Sequence, residues 1–260
     1  MLRLVATIFL CTLLLAAPNV HAAEKACALI ALHGKWASPR DISFFANRLA
    51  PSCDYKALEM PWAKRREYDA PYPAALQDIR QQVAAFRADV YKRIVLAGHS
   101  FGANAAIAYM AEFGDADAIV ALAPGHSPRF MYERGIGREA VDEARERVAA
   151  GKGAETVTML DLNSGDRKLN IRMRADVLLS YFDPQGLGNM QLTAPRIMKP
   201  VPILWVVGDQ DPLSRLGPQY AFQRAPHHPA SKYVSVNADH ANTPDAAVAE
   251  VLAWIQALPE

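Results

Sequence analysis

A serine with glycine two residues away on either side, Gly98-His99-Ser100-Phe101-Gly102, follows an apolar run from Ile94 to Ala97 and precedes an alanine-rich helical pattern. Strand, sharp turn and helix in that order form a nucleophile elbow. The turn holds Ser100 in a strained backbone conformation and brings strand and helix together, so the positions two before and two after must be small. The Ser100 hydroxyl is lifted clear of the sheet, and the positive end of the next helix lies beneath any oxyanion formed there. A serine hydroxyl is a weak nucleophile at neutral pH, so Ser100 needs a base, and the base needs a group that holds its tautomer. Two later segments carry such groups at the ends of apolar runs: Gly208-Asp-Gln-Asp211-Pro212 and Asn237-Ala-Asp-His240.

These side chains need a frame. Cys27 to Leu32 is a continuous apolar run, the mark of a strand covered on both faces, and it ends at His33-Gly34-Lys35-Trp36. A helix is expected from Pro39 or Arg40 to Leu49 and a strand from Tyr55 to Glu59. Residues 62–73 read as loop, with a basic knot at Lys64, Arg65 and Arg66. An amphipathic helix is expected from Ala74 to Tyr91, with Leu76, Ile79, Val83 and Phe86 on one stripe. The elbow strand then starts at Arg93 and its helix runs to about Phe113. A fourth strand, Ala118 to Leu122, closes at Ala123-Pro124-Gly125. Strand alternating with helix calls for a parallel, doubly wound sheet, in which ligands bind outside the carboxyl ends of the strands. His33, Ser100 and Pro124 all fall at those ends. The alternation then stops for about 75 residues, far more than a crossover requires. Within that stretch a helix is expected at Arg138 to Ala149, a hairpin at Thr156 to Leu162 and Lys168 to Met173, and a short helix at Ala175 to Phe182. The chain rejoins the sheet at Val201 to Val207. A helix near Gly217 to Arg224, a last strand from Lys232 to Val236 and a helix from Asp245 to Leu258 complete it.

With the elbow at Ser100 and the chain order Ser100, Asp211, His240, the sequence resembles the α/β-hydrolase superfamily. The resemblance implies a compact form of that fold, an α/β domain with a doubly wound, mostly parallel six-stranded sheet. Its core would span residues 23–124 and 199–260, with a cap insertion, 125–198, between the fourth and fifth strands. It implies Ser100 as nucleophile, His240 as base and an acid a few residues past a strand-ending glycine, a position that Asp211 matches. Asp209 then stabilises a turn, and Asp239, adjacent to His240, is a loop carboxylate. The oxyanion donors implied are the backbone N–H groups of Phe101 and of Lys35, the residue after His33-Gly34, with Trp36 as the alternative. His33 and His99 are expected to be structural hydrogen-bonding residues. The activity implied is that of a serine hydrolase cleaving a small-molecule carboxylic ester through an acyl-enzyme, with no cofactor and no metal. Amide, peptide or thioester cleavage by the same residues is the alternative within that class, and a non-catalytic binding protein of the same fold the alternative outside it.

Composition places the chain. Met1 to Ala22 has one basic residue, Arg3, an apolar core from Leu4 to Ala17 and the small-residue ending Val20-His21-Ala22, which reads as a secretory signal peptide. Its apolar run of about 14 residues is short of the roughly 20 that span a bilayer. No later stretch is apolar enough to span, so an exported protein, periplasmic or secreted, is expected. Removal of Arg3 leaves basic and acidic residues equal at 27 each, and nothing in that balance suggests a nucleic-acid partner. Cys27 and Cys53 each lie just at the start of an expected strand; if those strands are parallel neighbours, their starts lie about 5 Å apart, within disulfide reach. An oxidising compartment favours that bond over two buried thiols. His227 and His228 read as surface residues. Arg167, Lys168, Arg172 and Arg174 either steer an anionic substrate or form a solvated hairpin face. Phe130, Met131, Tyr132, Tyr181 and Phe182 either line the acyl pocket or pack the insertion onto the core.

Overall fold

The computed structural model describes residues 25–163 and 167–259. The apolar runs become β1 (Lys25–Leu32), β2 (Asp54–Leu58), β3 (Tyr91–His99), β4 (Ala118–Leu122), β5 (Thr156–Asn163), β6 (Arg167–Arg174), β7 (Ile203–Gly208) and β8 (Lys232–Val236). Between them run α1 (Pro39–Leu49), α2 (Tyr72–Ala88), α3 (Phe101–Glu112), α4 (Pro128–Glu133), α5 (Arg138–Ala149), α6 (Ala175–Phe182) and α7 (Met190–Thr193), and α8 (Thr243–Ala246) and α9 (Val248–Ala257) follow the last strand. A six-stranded sheet has the order β2-β1-β3-β4-β7-β8, and every pairing in it is parallel.

Alternate residues of the central strands enter two different cores. Ile30, Leu32, Ile94, Leu96 and Trp205 pack with α2 and α3 on one side, while Leu29, Ala31, Val95, Val120 and Leu204 pack with α1 and α9 on the other. Both faces are dry, which is why the runs are continuous rather than alternating. Pro39 sits in the first turn of α1, and the Asp41 carboxylate accepts the Ser38 N–H at 2.8 Å. That reciprocal cap starts the helix immediately after the loop that β1 delivers. Apart from Glu112 every residue of α3 is buried, so the helix behind Ser100 has no polar face.

The stretch between β4 and β7 is not held apart from the core. The antiparallel pair β5-β6, registered from Thr156 opposite Arg174 to Asn163 opposite Arg167, turns Val157, Met159, Asp161, Ile171 and Met173 inward. Tyr181 and Phe182 of α6 join the same buried cluster as α2 and α3, and the Tyr181 hydroxyl donates to the Ala70 carbonyl at 2.9 Å. Cys27 and Cys53 are joined by a disulfide, with Cα atoms 4.6 Å apart, at the starts of neighbouring β1 and β2.

Several expected elements differ. α2 stops at Ala88 because Val90 takes a positive φ of 63°, and Tyr91, expected to end the helix, instead opens β3 opposite Lys25. The helix expected from Gly217 to Arg224 is absent: 3-10 turns occupy Pro212–Leu216 and Phe222–Arg224. Gly217 breaks the segment with φ 66°, and Pro226 disfavours a helical residue before it, which leaves too short a stretch for α-helix. The last helix is divided at Ala247 into α8 and α9. The short helices α4 and α7 lacked a readable period. Among the described residues no helix is long and apolar enough to cross a membrane. The expected signal peptide, residues 1–22, and the hairpin turn at 164–166 lie outside the described residues.

Candidate functional site

The elbow is built as tightly as the spacing of its glycines requires. Ser100 has φ 54° and ψ −113°, a region that residues with a Cβ rarely enter. A Cβ on Gly98 would stand 2.2 Å from the Gly102 carbonyl oxygen, and one on Gly102 would stand 2.1 Å from that of Leu32. The Ser100 N–H donates to Leu122 O at 2.9 Å and the Gly125 N–H donates to Ser100 O at 3.1 Å, so the loop after β4 buttresses the turn.

Adjacent strand ends bring up the partners. Gly208 lets the loops after β7 and β8 meet, since a Cβ there would stand 2.2 Å from Ala238 O, and Gln210 N–H donates to that same oxygen at 3.1 Å. His240 Nε2 then lies 2.9 Å from Ser100 Oγ, and His240 Nδ1 lies 2.6 Å from Asp211 Oδ2. All three residues are buried. Asp211 Oδ1 is occupied by the Leu213 N–H at 2.9 Å, which aims Oδ2 at the ring. Asp209 accepts the Ala238 N–H at 3.3 Å and faces solvent, and Asp239 caps Asn242 at 2.8 Å, a bond that lowers its pKa. Neither carboxylate reaches the imidazole.

The other histidines hold backbone. His99 Nε2–H donates to the His240 carbonyl at 2.9 Å, and burial lowers its pKa to about 4, so the ring stays neutral. His33 Nδ1–H donates to Gly34 O at 2.8 Å while its Nε2 accepts the Met60 N–H at 3.1 Å, again with the pKa lowered to about 4 by burial. His126, at φ 61°, donates Nε2–H to Tyr181 O at 2.8 Å.

Beside Ser100, the backbone N–H groups of Phe101 and Lys35 make no hydrogen bond to another described residue. Phe101 N–H is in the first turn of α3, where no intrahelical partner exists. The Phe101 ring is stacked between Trp62, at 4.5 Å, and His126, at 3.8 Å, which pins the start of the helix. The Lys35 N–H likewise donates to nothing, whereas the Trp36 N–H is taken by Trp62 O at 2.9 Å. Trp36 is thereby removed as the alternative donor.

Ser100 opens onto two cavities. One of about 320 Å³ is lined by Gly34, Ile42, Phe44 and His99, and one of about 830 Å³ by Phe130, Met131, Ile136, Leu162 and Leu213. Of the aromatic residues considered for lining, Phe130 does so together with Met131; Tyr181 and Phe182 are core, and Tyr132 donates its hydroxyl to Asp142 at 2.8 Å. Arg167 borders both cavities, while Lys168, Arg172 and Arg174 face solvent. His227 is exposed, and among the described residues no group of three His, Cys, Asp or Glu is placed to hold a metal ion.

Sequence reasoning overlooked Gly125, whose Cβ would stand 2.7 Å from Ser100 Oγ, and Asp161, whose carboxylate is fully buried against Lys35. The second had a signal: Asp161 continues the inward positions of Val157 and Met159, where a carboxylate requires a partner.

The model of the alpha/beta hydrolase family matches residues 29–253. No curated protein matches the sequence. Among solved structures the chain is similar to the monoacylglycerol lipase of Paleococcus ferrophilus, with TM-score 0.61 and 18% identity over 88% of this chain and 93% of that one. It is also similar to a highly thermostable carboxyl esterase from Bacillus coagulans, with TM-score 0.63 and 15% identity over 90% of each chain. Est1E from Butyrivibrio proteoclasticus, with ferulic acid bound, gives TM-score 0.59 and 17% identity over 92% and 91%. At these identities the likeness is one of fold.

Proposed function

The chain belongs to the alpha/beta hydrolase family, and on that premise we propose that it is an exported serine hydrolase of carboxylic esters. The observation that carries the reading is the continuous contact from Ser100 Oγ to His240 Nε2 at 2.9 Å and from His240 Nδ1 to Asp211 Oδ2 at 2.6 Å. Ser100 attacks the ester carbonyl while His240 takes its proton; Asp211 keeps that proton acceptor at Nε2 and stabilises the imidazolium. The Phe101 and Lys35 N–H groups hold the tetrahedral oxyanion. His240 then protonates the departing alcohol, and a water activated by the same imidazole releases the acid from Ser100. These steps need neither metal nor cofactor. The segment 125–198 serves as the cap, supplying Phe130, Met131 and Leu162 as an apolar wall for the larger substituent of the ester. The Cys27–Cys53 disulfide supports export, because such bonds persist in oxidising compartments.

Labelling with a fluorophosphonate, followed by mass spectrometry of the modified peptide, tests the assignment. Modification at Ser100 that disappears in His240→Ala is the expected result. A Ser100→Ala chain that folds and still hydrolyses p-nitrophenyl esters refutes it.

A further inference from the structure

Gly34 carries no Cβ to restrict its ψ, so the peptide joining it to Lys35 is held by hydrogen bonds, the local one being the Ala37 N–H, which donates to the Gly34 carbonyl at 3.2 Å. A side chain there is disfavoured, since its Cβ would stand 3.3 Å from both His99 Nδ1 and Ser100 Cβ. The plane of that peptide decides where the Lys35 N–H points. His33 holds it from the core side through the Gly34 carbonyl.

The other side is held by β5. Lys35 Nζ donates to Asp161 Oδ1 at 2.6 Å and to Leu162 O at 3.0 Å, and the Lys35 carbonyl accepts Asn163 Nδ2–H at 2.9 Å. Asp161 is itself locked: Oδ1 also accepts the Leu162 N–H at 2.9 Å, and Oδ2 accepts the Tyr68 hydroxyl at 2.9 Å. The Lys35 and Asp161 side chains are 5% and 0% exposed. A buried ion pair contributes little net stability, because desolvation offsets its Coulomb gain. Its place, with the ammonium and the carbonyl of one residue both tied to one strand beside Ser100, suits it to fixing geometry.

We infer that Asp161 and Asn163 are positioning residues for the Lys35 N–H, so that docking of the β5-β6 hairpin and assembly of the oxyanion site are a single event. The inference rests on the reading of Lys35 as an oxyanion donor. Loss of the ties leaves the 34–35 peptide held only through the Gly34 carbonyl, by His33 and the Ala37 N–H, so that its N–H can tilt away from the oxyanion. Deleting an oxyanion donor costs about 10²- to 10³-fold in kcat, and loosening one should cost roughly 10- to 100-fold. KM should hardly move, because the N–H meets the oxyanion of the transition state better than the carbonyl of bound substrate.

The test uses the full chain with Asp161→Asn, Asn163→Ala, Lys35→Met and the double change Lys35→Met with Asp161→Leu. Active sites are counted by labelling Ser100 to completion with fluorophosphonate. Per labelled site, kcat for a p-nitrophenyl ester should fall about 10- to 100-fold while KM stays within about threefold. Affinity for a trifluoromethyl ketone, whose adduct with Ser100 carries the oxyanion, should fall by the same factor as kcat/KM. The double variant decides the matter if the single ones fold poorly, since it removes both charges together and leaves neither buried and unpaired. A double variant that melts like the parent and keeps kcat within about twofold overturns the inference alone. A parent chain that folds and never labels at Ser100 overturns the hydrolase reading and the inference with it.

Discussion

Alanine at position 125 should disarm Ser100 without unfolding the chain. Gly125 has no positive φ, so alanine brings no backbone strain; its effect is confined to the methyl group. That methyl would stand 2.7 Å from Ser100 Oγ and 3.5 Å from His240 Cε1. A carbon and an oxygen approach without penalty to about 3.3 Å, so the hydroxyl must withdraw by about 0.6 Å or turn to another staggered rotamer. Either movement breaks the 2.9 Å contact with His240 Nε2. Turning the buried hydroxyl away from His240 forfeits one hydrogen bond, about 1 kcal/mol of folding energy, whereas misplacing a reacting atom by about 1 Å costs on the order of 10²-fold in rate, about 2.7 kcal/mol of transition-state stabilisation. Gly125→Ala should therefore melt within about 3 °C of the parent while kcat/KM for p-nitrophenyl esters drops roughly 100-fold. A variant that folds and keeps more than a third of the parental kcat/KM would refute the reasoning, because the elbow would then have slack that the contact distances deny.

Gly102→Ala should behave oppositely: its Cβ would meet the backbone oxygen of Leu32 at 2.1 Å, so the expected readout is loss of soluble folded protein. Asp211→Asn keeps the acceptor for the Leu213 N–H but presents the wrong partner to His240, and kcat should fall by about 10⁴-fold with little change in KM. Replacing Cys27 and Cys53 by serine opens a cross-link spanning 26 residues, worth about 3.5 kcal/mol on a chain-entropy basis, and should lower Tm by roughly 7–14 °C in calorimetry. His33 and His99 are held neutral with pKa values of about 4, against 6.5 when unfolded. The unfolded chain binds more protons between those values, so this part of the stability is complete above pH 6.5 and is lost as pH falls toward 4, by on the order of 1 kcal/mol per pH unit for each ring. Urea midpoints measured from pH 7 to 4 should show that slope in the parent and a shallower one in His99→Gln.

The regular part of the fold was legible because its signals are local. Cys27–Leu32 and Ala118–Leu122 are apolar at every position, as a short strand buried on both faces requires, and α5 and α6 fall at the expected residues, 138–149 and 175–182. The boundaries that slipped are those set by single dihedrals, at Val90 and Gly217. Asp211 stood out over Asp209 and Asp239 because its offset from Gly208 matches the position that the family resemblance implies for the acid, and it lies 2.6 Å from His240 Nδ1.

By itself the sequence determined the alternation of strand and helix that makes the parallel sheet, and the elbow motif at Ser100, both of which follow from period and spacing; Asp211 and His240 were implied by resemblance in chain order, and the pairing of Cys27 with Cys53 depended on which strands are neighbours. The tertiary structure alone decided which N–H groups near Ser100 are left without acceptors, that Gly125 leaves the hydroxyl its room, and that Asp161 reaches back across the fold to Lys35. The reason is one of range. Burial pattern and turn chemistry are written in neighbouring residues, whereas a contact between positions 35 and 161 depends on how a hairpin packs against a loop from the other end of the chain, and no local pattern encodes that.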